Sequence, residues 1–389
     1  MTSVIVSGAR TPIGKLLGTL APLGAAQLGG IAIRAALERA GVEPGDAEAV
    51  YFGNVVQAGV GPNPARLAAV AADVPLSVPA TSINKLCLSG MTSIGHADLA
   101  IRGGLAQTVI AGGTESMTNA PHLTDVRGGV KYGSADLADA LERDALVCGI
   151  DGLVMGAGTE KYQAELQITR DEQDAFAARS HERAAAAIAN DIFAEEIVSV
   201  TVRRGRRTEV VTQDEGVRPG TTAESLAALR PAFAPDGTIT AGSASQLSDG
   251  AAAVVVMDKA EAERRGIPWL AEIVSYASVA GPDPSLLHQP ARAIAHATKR
   301  AGVAVSDLEL VEINEAFASV AIASTRELGI DPEIVNVNGG AIALGHPVGM
   351  SGARLALTLA LELRRRGAGL GVASLCGGGG QGDALVLRV

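Results

Sequence analysis

The chain has 389 residues, with 32 basic against 42 acidic side chains and a net charge of −10. That length implies two or three domains with an ample core, and the acidic balance argues against nonspecific binding to nucleic acid or to an anionic membrane. Hydrophobic residues make up 47% of the chain, aromatic ones only 3%, and 47 residues are glycine. Such a core must be Ala, Val, Leu and Ile close-packed through small residues, which favours layered α/β packing and disfavours a base-stacking platform. Three cysteines cannot build a disulfide framework, and their odd count points to a reducing compartment.

In chain order, the opening Met1 to Arg10 has neither the basic lead nor the long apolar stretch of a signal peptide. Its first strand is followed by Gly8-Ala-Arg-Thr-Pro12 and not by Gly-x-Gly-x-x-Gly, which disfavours a nicotinamide Rossmann enzyme. A helix over Gly29 to Arg39 is closed by glycine. A strand ends at Gly53, a helix carries Arg102, and Thr108 to Ala111 is an apolar strand. Beyond about Asn119 the chain becomes richer in charge, with a helix from Arg170 to Asn190 and a basic run, Arg203 to Arg207, that reads as a solvated hairpin turn. Apolar strands then recur at Asp249 to Val256, Leu310 to Ile313 and Leu370 to Ser374, with a helix over Pro290 to Arg300. The run from Gly250 to Met257 falls far short of the ~20 residues that span a bilayer. The closing Leu387-Arg388-Val389 is no peroxisomal address, so a soluble cytoplasmic protein is expected.

The chain repeats itself. Ala40-Gly41-Val42 and the strand ending at Gly53 match Ala301-Gly302-Val303 and the strand ending at Asn314, at an offset of about 261–264 residues. Gly90 to Gly113 matches Gly352 to Gly377, and the closing strands match too. Two similar halves follow, each a buried sheet with covering helices. The first half is expected over 1–118 plus 247–265 and the second over 266–389, with 119–246 as an insertion in the first.

Few residues could do chemistry. Cys87, in Asn84-Lys-Leu-Cys87, stands where an extended stretch gives way to a helix, and the helix dipole would lower its pKa. A small core thiol is the alternative reading. Cys376 opens the run Gly377-Gly-Gly-Gly380, whose unhindered N–H groups suit a developing oxyanion, a merely tight turn being the alternative. The repeat puts Cys87 and Cys376 on corresponding elements at non-equivalent positions. His346 lies between glycines and a proline, where it is either a working imidazole or a structural one satisfied by backbone groups. Asn314 follows an apolar strand, as an N-cap or as the holder of a water or substrate oxygen. The remaining histidines, His96, His122, His181, His288 and His296, show no metal spacing. No metal site is expected.

The stretches around Cys87, Asn314-Glu-Ala-Phe-Ala318, Gly345-His-Pro347 and Cys376-Gly-Gly-Gly resemble the thiolases. So do Ala9-Arg-Thr-Pro-Ile-Gly14, Gly112-Gly-Thr-Glu-Ser-Met117 and Thr240-Ala-Gly-Ser-Ala-Ser245. The likeness covers essentially the whole chain and falls nearest the acetyl-CoA acetyltransferase / 3-ketoacyl-CoA thiolase group. It implies an α/β fold of five layers, α/β/α/β/α, from two similar halves with an inserted loop domain that binds coenzyme A and makes oligomer contacts. It implies a homodimer or homotetramer, with CoA as substrate and product and no permanently bound cofactor. In that pattern Cys87 is acylated, His346 takes its proton, Asn314 positions a water, and Cys376 removes the α-proton of the second acetyl-CoA. The N–H groups of Cys87 and Gly378 form an oxyanion hole. Arg218 would lie near the adenine end of CoA and Ser225 and Ser245 near the pantetheine, with Leu146, Met155 and Phe233 as apolar contacts. Cys148 is left to packing. Two departures bear on the acyl chain: Val154 stands where a histidine is usual, and Leu286-Leu-His-Gln-Pro290 replaces Met-Gly-x-Gly-Pro.

Overall fold

The computed structural model describes residues 1–389. The first half runs β1 (Ser3–Arg10), β2 (Gly14–Lys15), α1 (Ala25–Ala40), β3 (Ala49–Gly53), α2 (Pro64–Ala71), β4 (Ala80–Ile83), α3 (Ser89–Arg102) and β5 (Thr108–Ser116). The insertion carries β6 (His122–Leu123), β7 (Ala138–Asp139), α4 (Met155–Gln163), α5 (Arg170–Ala189), the hairpin β8 (Val200–Arg204) and β9 (Arg207–Val211), and α6 (Ala223–Ala227). The chain returns through β10 (Ser248–Asp258) and α7 (Lys259–Arg265). The second half is β11 (Ala271–Ala280), α8 (Gln289–Ala301), β12 (Leu310–Ile313), α9 (Ala318–Leu328), α10 (Ala341–Leu344), α11 (Ser351–Arg366), β13 (Leu370–Gly377) and β14 (Gln381–Arg388).

The strand order β12-β13-β14-β11-β1-β10-β5-β3-β4 makes the repeat visible, because each half reads outward from a central seam. At that seam β1 meets β11 through only two residue pairs, Val4 with Glu272 and Ile5 with Ala271. The two expected sheets are therefore hydrogen-bonded into one at a narrow hinge line. Helices α1 and α2 cover the outer face of the first half, and α8 with α9 that of the second. Helices α3 and α11 lie between the halves, giving the α/β/α/β/α layering.

Composition explains the middle layer. Helix α11 is buried from Ser351 to Leu363, and α3 nearly throughout, so both are small or apolar on most sides, and their buried charges Arg354, Glu362 and Asp98 are paired with Glu312, Arg366 and Arg102. Gly352 and Gly90 let them approach: a Cβ on Gly352 would stand 2.7 Å from that of Met91, and one on Gly90 2.9 Å from the Ala353 nitrogen. One cluster of 35 apolar residues fills this layer, including Met91, Ile94, Leu355 and Leu357. Gly41 and Gly302, equivalent in the repeat, end α1 and α8 in the left-handed region at φ 63° and 71°.

A buried cation anchors the insertion. Arg10, fully buried at the end of β1, bonds Glu196 at 2.7 Å and grips Asp214 with two nitrogens at 2.7 and 2.9 Å. The basic run at Arg203 to Arg207 forms the turn of the β8–β9 hairpin, its side chains exposed, apart from the chemistry described below.

Candidate active site

Four loops converge where the two halves meet. Cys87 lies between β4 and α3, Asn314 just after β12, His346 between α10 and α11, and Cys376 on β13 before its glycine turn. The repeat equates α3 with α11, so the counterpart of the Cys87 loop is the loop bearing His346. Cys376 instead corresponds to the Gly112 region of β5. The expectation that the two cysteines sit on corresponding elements is thus corrected: nucleophile loop faces histidine loop.

The Cys87 loop is tightly bent. Leu86 adopts φ 53°, a conformation that costs a residue with a Cβ and is held here by local bonds. Its N–H donates to Asn84 Oδ1 at 3.1 Å, and its carbonyl accepts the Ser89 hydroxyl at 2.6 Å. The backbone amides of Cys87 itself and of Gly378 face the Cys87 sulfur. They favour a thiolate, yet burial outweighs them and pushes the thiol up to about 11, with the Glu115 carboxylate adding to the rise. The lowered pKa expected from the helix terminus is therefore not found, because desolvation wins over the dipole. Cys376 is also raised, by burial and then by the neighbouring Cys87. It packs against Leu286 and Phe317 in an apolar cluster.

His346 is buried and its bonds run to side chains, not to the backbone groups a structural imidazole would use. Nδ1 lies 2.6 Å from Ser351 Oγ, whose hydroxyl lies 3.0 Å from the Pro347 carbonyl. With that hydroxyl donating to the carbonyl, Nδ1 carries the proton and Nε2 presents its lone pair. Burial and then Arg354 push the imidazole down to about 3, so it is neutral at pH 7. Asn314 Nδ2 stands 3.3 Å from Nε2, and Asn314 Oδ1 is buried with no protein partner, an acceptor free for a water or substrate group. Asn314 is not an N-cap. Ala244 bridges Phe317 and the Ser243 carbonyl accepts from Ala318, which keeps the segment extended and delays α9 until Ala318.

A cavity of about 590 Å³, lined mostly by apolar side chains, opens on His346. Leu146, Met155, Phe233 and Ser245 all line it, as does Val154. Arg218 and Ser225 do not: both are exposed, and Ser225 is occupied in a capping box with Thr222 at the start of α6. Arg218 is tied through its backbone N–H to His181. Leu286 and Leu287 are buried in the cluster that holds Cys376. Cys148 is buried.

Two residues escaped sequence reasoning. Ser351 fixes the imidazole from five positions along the chain. Glu115 is fully buried and accepts from Asn54 Nδ2 (3.0 Å) and from the backbone N–H groups of Val55 (2.9 Å), Val56 (3.2 Å) and Gly349 (3.0 Å). A lone acidic residue inside the apolar strand Thr108–Ser116 was the available signal. No helix is long and apolar enough to cross a membrane.

Residues 3–260 match the family model described as thiolase, N-terminal domain, and residues 267–389 the one described as thiolase, C-terminal domain. A probable acetyl-CoA acetyltransferase of Mycobacterium leprae is 57% identical over 389 residues, covering 100% of this chain and 99% of the relative. An acetyl-CoA acetyltransferase of Rhizobium meliloti is 48% identical over 386 residues, covering 99% and 98%. The crystal structure of the Bacillus anthracis acetyl-CoA acetyltransferase superposes with a TM-score of 0.97 at 39% identity, over 100% of this chain and 98% of that one.

Proposed function

The chain belongs to the thiolase family and is an acyl-CoA acyltransferase, joining two acetyl-CoA into acetoacetyl-CoA and reversibly cleaving 3-ketoacyl-CoA by thiolysis; from that premise we propose that Cys87 carries the acyl group. The supporting observation is the environment of its sulfur, where the Cys87 and Gly378 N–H groups, one from each half, converge. An acyl group on that sulfur would place its carbonyl oxygen beside the same two donors.

The raised thiols define the proton path. Cys87 is not spontaneously a thiolate, so it needs a base at hand, and His346 Nε2 takes its proton as sulfur attacks the thioester carbon. The bond to CoA breaks, and the departing CoA sulfur takes the proton of Cys376. Cys376 thereby enters the second half-reaction as a thiolate. It removes the α-proton of the second acetyl-CoA, whose enolate oxygen faces the protonated His346 and a water held by Asn314. The enolate carbon attacks the acyl carbonyl, the new C–C bond forms, and Cys87 leaves with the proton returned by His346. Every group ends as it began. A decarboxylating synthase would need no α-proton base, and Cys376 weighs against that reading.

The apolar cavity suits a pantetheine arm and a short or medium acyl chain, with Leu146, Met155, Phe233 and Ser245 as its contacts. Arg218 and Ser225, both at the surface, are left for the adenine end and the outer arm of CoA. We further assign the enzyme to the cytoplasm, because its chemistry requires two reduced thiols, and to a homodimer or homotetramer with no resident cofactor. Acylation tests the central assignment: acetyl-CoA should label wild-type Cys87, and Cys87→Ala should carry no label. A labelled Cys87→Ala would overturn it. A kcat/KM series on 3-ketoacyl-CoAs of increasing length tests the substrate range, where Val154, Leu286 and Leu287 depart from the usual pattern.

A further inference from the structure

The imidazole and the thiol that must exchange a proton come from different halves of the chain. Cys87 belongs to the first half and His346 to the second, and proton transfer demands a separation held to a few tenths of an ångström. His346 is oriented by Ser351, but Ser351 is on the same half and cannot set the distance to Cys87.

One side chain holds the histidine loop directly and reaches the nucleophile loop through Val55 and Asn84. Glu115, at the end of β5, accepts the Gly349 N–H on Oε2 at 3.0 Å, three residues beyond His346. The same oxygen accepts the Val55 N–H at 2.9 Å. The Val55 carbonyl in turn accepts from Asn84 Nδ2 at 3.1 Å, and Asn84 Oδ1 accepts the Leu86 N–H, also at 3.1 Å, one residue before Cys87. Four hydrogen bonds therefore connect the histidine loop to the nucleophile loop, with Glu115 as the only carboxylate among them. Its second oxygen accepts two more donors, from Asn54 and Val56, so each oxygen faces two N–H groups. Only a side chain with two acceptor oxygens fits that cradle.

We propose that Glu115 is a positioning residue that holds His346 at its working distance from Cys87 by bridging the two loops. The inference rests on the assignment of Cys87 as the acylated residue and of His346 as its base. Glutamine has the same shape but turns an amino group toward two donors, so Glu115→Gln should loosen the bridge while leaving the cavity wall intact.

Two reactions of Cys87 separate positioning from general damage. Acylation by acetyl-CoA uses His346, whereas alkylation by iodoacetamide at alkaline pH does not. In Glu115→Gln the acylation rate should fall at least tenfold with KM for acetyl-CoA within about threefold. Alkylation of Cys87, followed on its peptide by mass spectrometry, should be unchanged or faster, since a negative charge near the thiol is gone. Acylation within twofold of wild type would overturn the proposal, and so would acylation and alkylation slowing together. Should Glu115→Gln not fold, Asn84→Ala, at an exposed position of the same relay, should slow acylation at least threefold with alkylation retained, and equal acylation there would overturn it. If wild type itself is not acylated on Cys87, the assignment of Cys87 fails, and not the bridge.

Discussion

His346 Nδ1 lies 2.6 Å from the hydroxyl of Ser351, the first residue of α11, and that hydroxyl lies 3.0 Å from the Pro347 carbonyl. The geometry locks the imidazole with its proton on Nδ1 and its lone pair on Nε2, the atom beside Asn314. Ser351→Ala leaves a buried N–H without an acceptor, at a cost of about 1–3 kcal/mol, and frees the ring to take the other tautomer. The expected result is a loss of roughly tenfold to a hundredfold in kcat/KM for thiolysis of acetoacetyl-CoA, with little change in KM. Wild-type turnover in this variant would mean that the ring is oriented by something else.

Cys376 divides the reaction in two. Cys376→Ser keeps size and hydrogen bonding but replaces the thiol by a far weaker acid, which cannot enter the second half-reaction as an anion. Condensation should slow by about 10²–10⁴, the usual contribution of a positioned acid–base group. The acyl-enzyme on Cys87 should still form and accumulate. A label chase with unlabelled acetyl-CoA measures both at once, and normal turnover of the label would assign the base to another group.

Burial sets the pH behaviour of Cys87. With the thiol pushed up to about 11, the thiolate fraction in the free enzyme climbs through the whole range from pH 8 to pH 10. Iodoacetamide alkylation of Cys87 should rise about tenfold per pH unit over that range without the plateau near pH 9 of an ordinary thiol. Stability follows the same sign. Because the folded value lies above the unfolded one, the contribution is fully present below the ordinary thiol pKa and is lost as pH rises toward about 11. The Tm of wild type should therefore fall more steeply than that of Cys87→Ala between pH 8.5 and 10.5.

What was legible in the sequence was chemistry that announces itself locally. Cys87, His346 and Cys376 are reactive types beside glycines, and Asn314 ends an apolar strand, so residue type and neighbours marked them as candidates, while their roles rested on the resemblance. The repeat gave two similar halves of sheet and covering helices, the five-layer order came from the resemblance to the thiolases, and glycine stops gave the ends of α1 and α8. What was hidden depends on distance through space. Glu115 and Ser351 act through partners 234 and 5 residues away, and no periodicity marks such pairs. The direction of the Cys87 shift was misread because a sequence displays the helix terminus but not the burial that outweighs it. The seam between β1 and β11 was invisible for a similar reason, since two backbone pairs leave no pattern in side chains. Arg218 and Ser225 lie outside the cavity at the exposed surface, which the run of residues around them does not reveal.

The glycine excess has its sharpest consequence at Gly349. Its carbonyl oxygen is enclosed by three glycines of the first half: a Cβ on Gly53 would stand 2.7 Å from it, one on Gly90 2.9 Å, and one on Gly113 would overlap it outright. The same residue donates its N–H to Glu115, so the backbone of the histidine loop is seated directly on the first half, beside the packing of the Val348 and Met350 side chains. Gly113→Ala therefore adds one methyl where none fits, on strand β5, whose own pairing with β3 and β10 prevents it from moving aside. The loop must yield instead. Overpacking of this kind costs about 1–3 kcal/mol, which urea unfolding should register as a lower midpoint at unchanged slope. Because the yielding segment carries His346, acylation of Cys87 should slow by more than the stability loss alone would suggest, while the cavity contacts at Met155 and Phe233 keep KM near wild type. A variant that is destabilised but acylates normally would show that the Gly349 seat serves folding and not the approach of the imidazole to the thiol.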